Sequence, residues 1–145
     1  MGKRLLFYAF LLSLLFPSCT DFINVEIPYY ISEKKVEMGK DDDICSYAEA
    51  VFEIFNNSDK EIESVDLSFY VFNDRNMPSS ANNKVEVHVL CHAMARNAKS
   101  IKVSLDPYIG PVIREQYSVG FSYVSKISYT DGTVWMDQWG VYGLA

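Results

Sequence analysis

His88, Cys91 and His92 form the one cluster of soft metal-binding side chains in the chain, and their spacing admits two geometries. On a strand, His88 and His92 share a face but stand ~13 Å apart at ~3.3 Å per residue, too far to chelate one ion. On a turn of helix, positions i and i+4 become neighbours and a copper or zinc site becomes conceivable. Leu90–Lys99 is where such a turn would form. No second cluster completes a ligand shell, so exposed strand histidines are the default expectation. Asp41-Asp42-Asp43 offers hard oxygen ligands, but it lacks the Gly and distal Glu of a calcium loop and reads as a solvated turn. Asp131 and Asp137 flank a hairpin signal and raise the idea of an acid pair, although turn chemistry alone accounts for Asp131. There is no G-x-S-x-G, no phosphate-cradling Gly loop, and no Ser or Cys nucleophile near a His with an orienting acid. The expectation is a non-enzyme without a cofactor or metal.

Two further groups carry chemistry of a quieter kind. Cys45 and Cys91 are candidates for a disulfide, which in the chain-entropy model would contribute on the order of 4 kcal/mol. Trp135, Trp139 and Tyr142, near Tyr129, form an aromatic tail. Such side chains either cap a core, for which their burial is reason enough, or form an exposed patch that binds a protein or a glycan.

The N-terminus supplies an address. Lys3 and Arg4 precede an apolar run from Leu5 to Phe16 that stops at Pro17. This is the architecture of a secretory signal, and the run is well short of the roughly 20 residues that span a bilayer. Leu15-Phe16-Pro17-Ser18-Cys19 resembles the lipobox of bacterial lipoproteins, with Phe16 and Pro17 departing from the usual residues. That resemblance implies cleavage before Cys19 and lipid on its thiol. Residues 1–18 are then a signal peptide, 19–43 a lipidated N-terminus and tether with a candidate first strand, and 44–145 the folded domain. Each buried CH₂ contributes ~0.8 kcal/mol, so two or more acyl chains such as palmitate anchor firmly. The expected location is the cell envelope, outside the cytoplasm and lipid-anchored to an inner or outer membrane.

Bulk properties bound the partners. Removing 18 of 145 residues leaves 127, enough for one domain with a real core. Loss of Lys3 and Arg4 takes the formal net charge from −6 to −8. So acidic a chain repels nucleic acid and anionic headgroups, leaving the lipid and an envelope or host protein as the expected partners. Its 14% aromatic content suits sheet and argues against disorder.

The elements that would position these groups are strands. Phe22–Ile27 and Tyr30–Met38 are short β-like stretches. From Ile44, period-two alternation dominates. Ile44, Ala48, Ala50, Phe52 and Ile54 share one face; Val65, Leu67, Phe69 and Val71 share another, as do Val85, Val87, Val89 and Cys91, and Ile101, Val103 and Leu105. Tyr117, Val119, Phe121, Tyr123, Ile127 and Tyr129 all have odd parity. Asp131-Gly132 marks a hairpin with a type I′ turn. Cys91 falls with the core valines while Cys45 falls opposite Phe52 and Ile54, so parity opposes a buried bond between them unless a bulge intervenes.

Seven or eight strands at these spacings predict an all-β sandwich. The segment Asn56-Asn57-Ser58-Asp59-Lys60 with Ser68–Asn73, and the ending Tyr123–Trp135, resemble the immunoglobulin-like sandwich modules of small bacterial surface lipoproteins over roughly residues 44 to 139. The resemblance implies fold and not function. Both Trp residues follow the second of these cysteines, so the Cys–Trp–Cys order of antibody domains is missing. The expected role is a non-catalytic binding or structural module. The alternative is a small envelope metal-binding or enzymatic accessory protein using His88, Cys91 and His92.

Overall fold

The computed structural model describes residues 26–41, 44–79, 82–109 and 116–144. The signal segment, Cys19, and the side chains of residues 40–46, including those of Asp41, Asp42, Asp43 and Cys45, lie outside that description. Among the described residues no helix is long and apolar enough to cross a membrane.

The described chain forms seven strands: β1 (Tyr29–Asp41), β2 (Ile44–Asn56), β3 (Ile62–Asn73), β4 (Lys84–Ala93), β5 (Ala98–Ser104), β6 (Tyr117–Tyr129) and β7 (Val134–Met136). One helical turn, α1 (Asp106–Ile109), lies between β5 and β6. The strands form two antiparallel sheets in the orders β1-β2-β5 and β4-β3-β6-β7. The chain therefore changes sheet after β2, after β4 and after β5, the Greek-key crossing of immunoglobulin-like sandwiches. The candidate first strand is part of this body. β1 pairs with β2 from Tyr29↔Asn56 to Asp41↔Ile44, so the sandwich includes residues N-terminal to Ile44.

Alternation sets what is buried. Ala48, Ala50, Phe52 and Ile54 face inward from β2, and Val65, Leu67, Phe69 and Val71 face them from β3. Phe52 and Phe69 meet across the gap at 4.9 Å between ring centroids, tilted by 57°. Both rings are fully buried, and burying each contributes ~1.5–3 kcal/mol.

Two expectations need correction. The odd parity of the last long strand does not run through. Leu67 pairs with Val124 but Asp66 with Lys126, so one extra residue is inserted at Ser125; a second shift lies between Phe69↔Ser122 and Val71↔Val119. Bulges of this kind flip the side-chain alternation. Val124 consequently enters the core, while Tyr123 turns to the outer face opposite Ser68. There it is covered by the C-terminal segment, whose Gly140 and Gly143 pack against it where a Cβ would clash.

The closing hairpin is also not type I′. Tyr129 N–H bonds to Thr133 O, Gly132 N–H bonds to Tyr129 O, and Gly132 alone has positive φ, at 82°. This is a three-residue loop with glycine at the left-handed position. The Asp131 carboxylate accepts from Thr133 N–H and from its hydroxyl.

Replacing Phe52 with Ala removes a ring from the middle of both sheets. Urea denaturation is expected to show a loss of ~3–5 kcal/mol, against under ~1.5 kcal/mol for Phe52→Leu.

Candidate functional site

One end of the sandwich gathers the start of β1 and the β2–β3, β4–β5 and β6–β7 connections. Its organiser is Asn56, the last residue of β2, which is fully buried. The Asn56 amide donates to Lys60 O (2.7 Å), Ala93 O (3.0 Å) and Met94 O (3.1 Å), sharing two hydrogens among three carbonyls. Its side-chain oxygen accepts from Ser58 N–H at 3.0 Å and from the Ser58 hydroxyl at 2.7 Å. One side chain thereby ties a turn of one connection to the end of β4. Asn57 completes the seam: its N–H donates to Pro28 O and its side-chain amide to Ile27 O.

Two ion pairs stand at this end. Arg96 holds a left-handed backbone, with φ of 56°. It is fixed by its N–H to Ser58 O, its Nε to Asp59 Oδ1 at 2.9 Å and its Nη1 to Asn57 Oδ1 at 3.2 Å. The guanidinium holds the Asp59 carboxyl below the usual carboxylate range. Lys60 Nζ meets Asp131 Oδ2 at 2.8 Å and Thr133 Oγ1 at 2.9 Å, and lies 5.6 Å from the centre of the Tyr129 ring. Lys60, then the Thr133 hydroxyl and N–H, push the Asp131 carboxyl far down.

A groove of about 410 Å³ lies between these groups, lined among others by Pro28, Asn57, Arg96, Tyr129 and Trp135. Two of its lining residues, Asp59 and Lys60, are ion-paired with Arg96 and Asp131, and Glu26 lines it as well. The groove thus presents aromatic surface and fixed hydrogen-bonding groups.

The groups singled out in the sequence are dispersed. His88 stands on the outer face of β4, where its Nδ1 meets Asp66 Oδ1 at 2.6 Å. Cys91 is a free thiol buried in the core, and burial raises its pKa. His92 sits exposed at a register shift of β4, with φ of 47°. The three do not converge, and no group of three metal-ligating side chains occurs among the described residues. Strand geometry also separates the two cysteines. Cys45 pairs with Lys40 near the start of β2, whereas the Cys91 end of β4 adjoins Asn56 at its finish. The intervening eleven residues span ~36 Å, far beyond the reach of a disulfide.

Asp131 and Asp137 do not form an acid pair. Asp137 is buried, and its two oxygens accept from the backbone N–H groups of Val141 and Tyr142. The aromatic tail divides. Trp135 packs edge-on against core Tyr29 at 5.6 Å and lies 6.0 Å from Tyr142, whereas Trp139 is 78% exposed. Asn56 and Arg96 were visible in sequence only as members of loops; nothing in their spacing marks one as buried and the other as left-handed.

Asn56→Ala leaves three carbonyls and the Ser58 N–H without their partner, and is expected to cost about 2–3 kcal/mol in urea denaturation. A separate prediction concerns acid. The folded-state pKa of Asp131 lies below its ordinary value near 3.8. Its contribution is therefore complete above that value and lost as pH falls below it. Asp131→Asn is expected to flatten the stability–pH curve below about pH 4 and to leave its slope near neutrality unchanged. No protein-family model, curated protein or solved structure matches the chain.

Proposed function

We propose that the chain is a secreted lipoprotein, held to a membrane by acyl chains on Cys19, whose sandwich is a non-catalytic binding or structural module of the cell envelope. The observation that carries this reading is the order of the N-terminal residues. Lys3 and Arg4, an apolar run ending at Pro17, and then Ser18-Cys19 come just ten residues before the first residue of β1. An apolar run too short to span and an acidic domain that cannot hold a membrane by charge both favour a covalent anchor. The partners in this reading are the membrane, through lipid, and an envelope or host protein. The aromatic and hydrogen-bonding lining of the loop-end groove, with Tyr129, Trp135 and Asn57, supports a role in recognition.

Glu26 and Pro28 line the loop-end groove, and six residues separate Cys19 from Glu26, a reach over seven steps of at most ~25 Å. In this reading an anchor at Cys19 keeps the loop end within about 25 Å of the bilayer.

Cys19→Ser tests the anchor. The variant is expected to leave the membrane fraction and to lose metabolic labelling by a palmitate analogue. A variant that stays in membranes and still takes up the label contradicts the proposal.

A further inference from the structure

The two strands of the closing hairpin are unequal. β6 runs from Tyr117 to Tyr129, but β7 pairs only with Lys126, Ile127 and Ser128. Asp137 N–H then bonds to Ser125 O and the chain leaves the sheet to cross Tyr123. From Val124 back to Gly120, β6 has no neighbouring strand on this side among the described residues. An edge of this kind leaves N–H and C=O groups without a strand partner and is a template for another strand; here Ser122 lies in a groove, and it, Tyr123 and Val124 are themselves buried.

Side chains from β1 occupy part of that template. Tyr29 Oη accepts from Val124 N–H at 2.9 Å and lies 3.5 Å from Val124 O, standing in with one atom for both groups of a missing strand. Lys34 Nζ donates to Gly120 O at 2.6 Å. Ser122 lies between them. Val71 N–H points to Asn83 on the β4 side, so Phe69, two residues away, points there too. Its partner Ser122 then directs its N–H and C=O away from β3, toward the same open side as Val124. A groove of about 270 Å³ runs along this edge, lined by Ile27, Tyr29 and Ile31, by Ser122, by Tyr142-Gly143, and by two charged residues, Lys34 and Glu33, the latter paired with Lys35.

We propose that the Gly120–Val124 edge of β6 is a strand-addition site that binds an extended peptide of alternating apolar and acidic residues. Backbone pairing to Ser122 supplies the register, and the apolar side chains lie against Ile27 and Ile31. The charge preference follows from the guard residue. A strand that takes Gly120 O displaces Lys34 from its bond, and the freed ammonium at the rim meets a carboxylate of the incoming chain. The free edge of β1 is less suited. It carries Glu33, Lys34, Lys35 and Glu37 and is interrupted at Ser32, where the register shifts; charges and bulges are the usual guards against pairing. This inference rests on reading the sandwich as a binding module and is independent of the lipid on Cys19.

The test uses the detergent-solubilised full-length protein, ¹⁵N-labelled, titrated with the blocked peptide Val-Glu-Val-Glu-Val and with Val-Glu-Pro-Glu-Val, whose central proline removes the pairing N–H. Saturable shifts at the amides of Gly120, Ser122 and Val124 are expected with the first peptide and not with the second. Tyr29→Phe, which removes only the hydroxyl that guards Val124, is expected to tighten binding by about fivefold, and Lys34→Met is expected to erase any preference for Val-Glu-Val-Glu-Val over Val-Gln-Val-Gln-Val. Absence of saturable shifts at those amides, an equal response to the proline peptide, or shifts confined to the edges of β4 and β5 would overturn the proposal. Concentration-dependent shifts of the same amides without peptide would assign the edge to a second copy of this chain and equally overturn it. None of these outcomes bears on acyl labelling, so failure here and failure of the anchor are distinguishable.

Discussion

Phe52 of β2 meets Phe69 of β3 with 4.9 Å between ring centroids, and the rest of the molecule is arranged around keeping that contact dry. The two rings belong to different sheets, so their burial forces the chain to change sheet between β2 and β3. Because side chains alternate along a strand, fixing one residue inward fixes its neighbours at every second position. Ala48, Ala50 and Ile54 follow Phe52 inward; Val65, Leu67 and Val71 follow Phe69. Small alanines in β2 leave room for the larger residues opposite, in keeping with close-packed interiors.

A sandwich closed in this way has ends and edges still to settle, and the molecule treats them differently. At the loop end, backbone carbonyls from two connections point inward with no strand to receive them. A buried Asn56 supplies the donors, and leaving them unmet would carry a penalty larger than the net gain of an ordinary hydrogen bond. Beyond it Arg96 pairs with Asp59 and Lys60 with Asp131, which fixes the polar lining of the groove there. At the side of β6 the solution is partial: two side chains from β1 reach over to backbone groups that a longer β7 would have met.

Much of this was legible from the chain, and the illegible parts share a cause. The alternation in β2 and β3 is regular because both faces of each strand have one environment along their length, and the inward residues read straight from the sequence. In β6 the expected odd-parity run fails at Val124, because the inserted residue at Ser125 answers to pairing with β3 and not to local preference. Asp131-Gly132 signalled a turn correctly but not its type, since Gly132 alone takes the left-handed conformation and Asp131 caps the loop with its side chain. The place of β1 in the sandwich was foreshadowed by Tyr30–Met38. The tasks of Tyr29 and Lys34 were not, because a bond to a strand 95 or 86 residues away leaves no trace in spacing. Asn56, likewise, is indistinguishable in sequence from its exposed neighbour turn residues.

The open side of β6 carries the proposed strand-addition site, and native-state amide hydrogen exchange on the protein examines it most directly. The amides of Leu67 and Ile127 lie within paired strands and are expected to exchange only through global unfolding. Ser122, although the residue is only 7% exposed, is expected to exchange orders of magnitude faster, because its N–H faces the side of β6 that has no strand partner. Protection of Ser122 equal to that of Ile127 would mean that the edge is already paired, and would contradict the central claim.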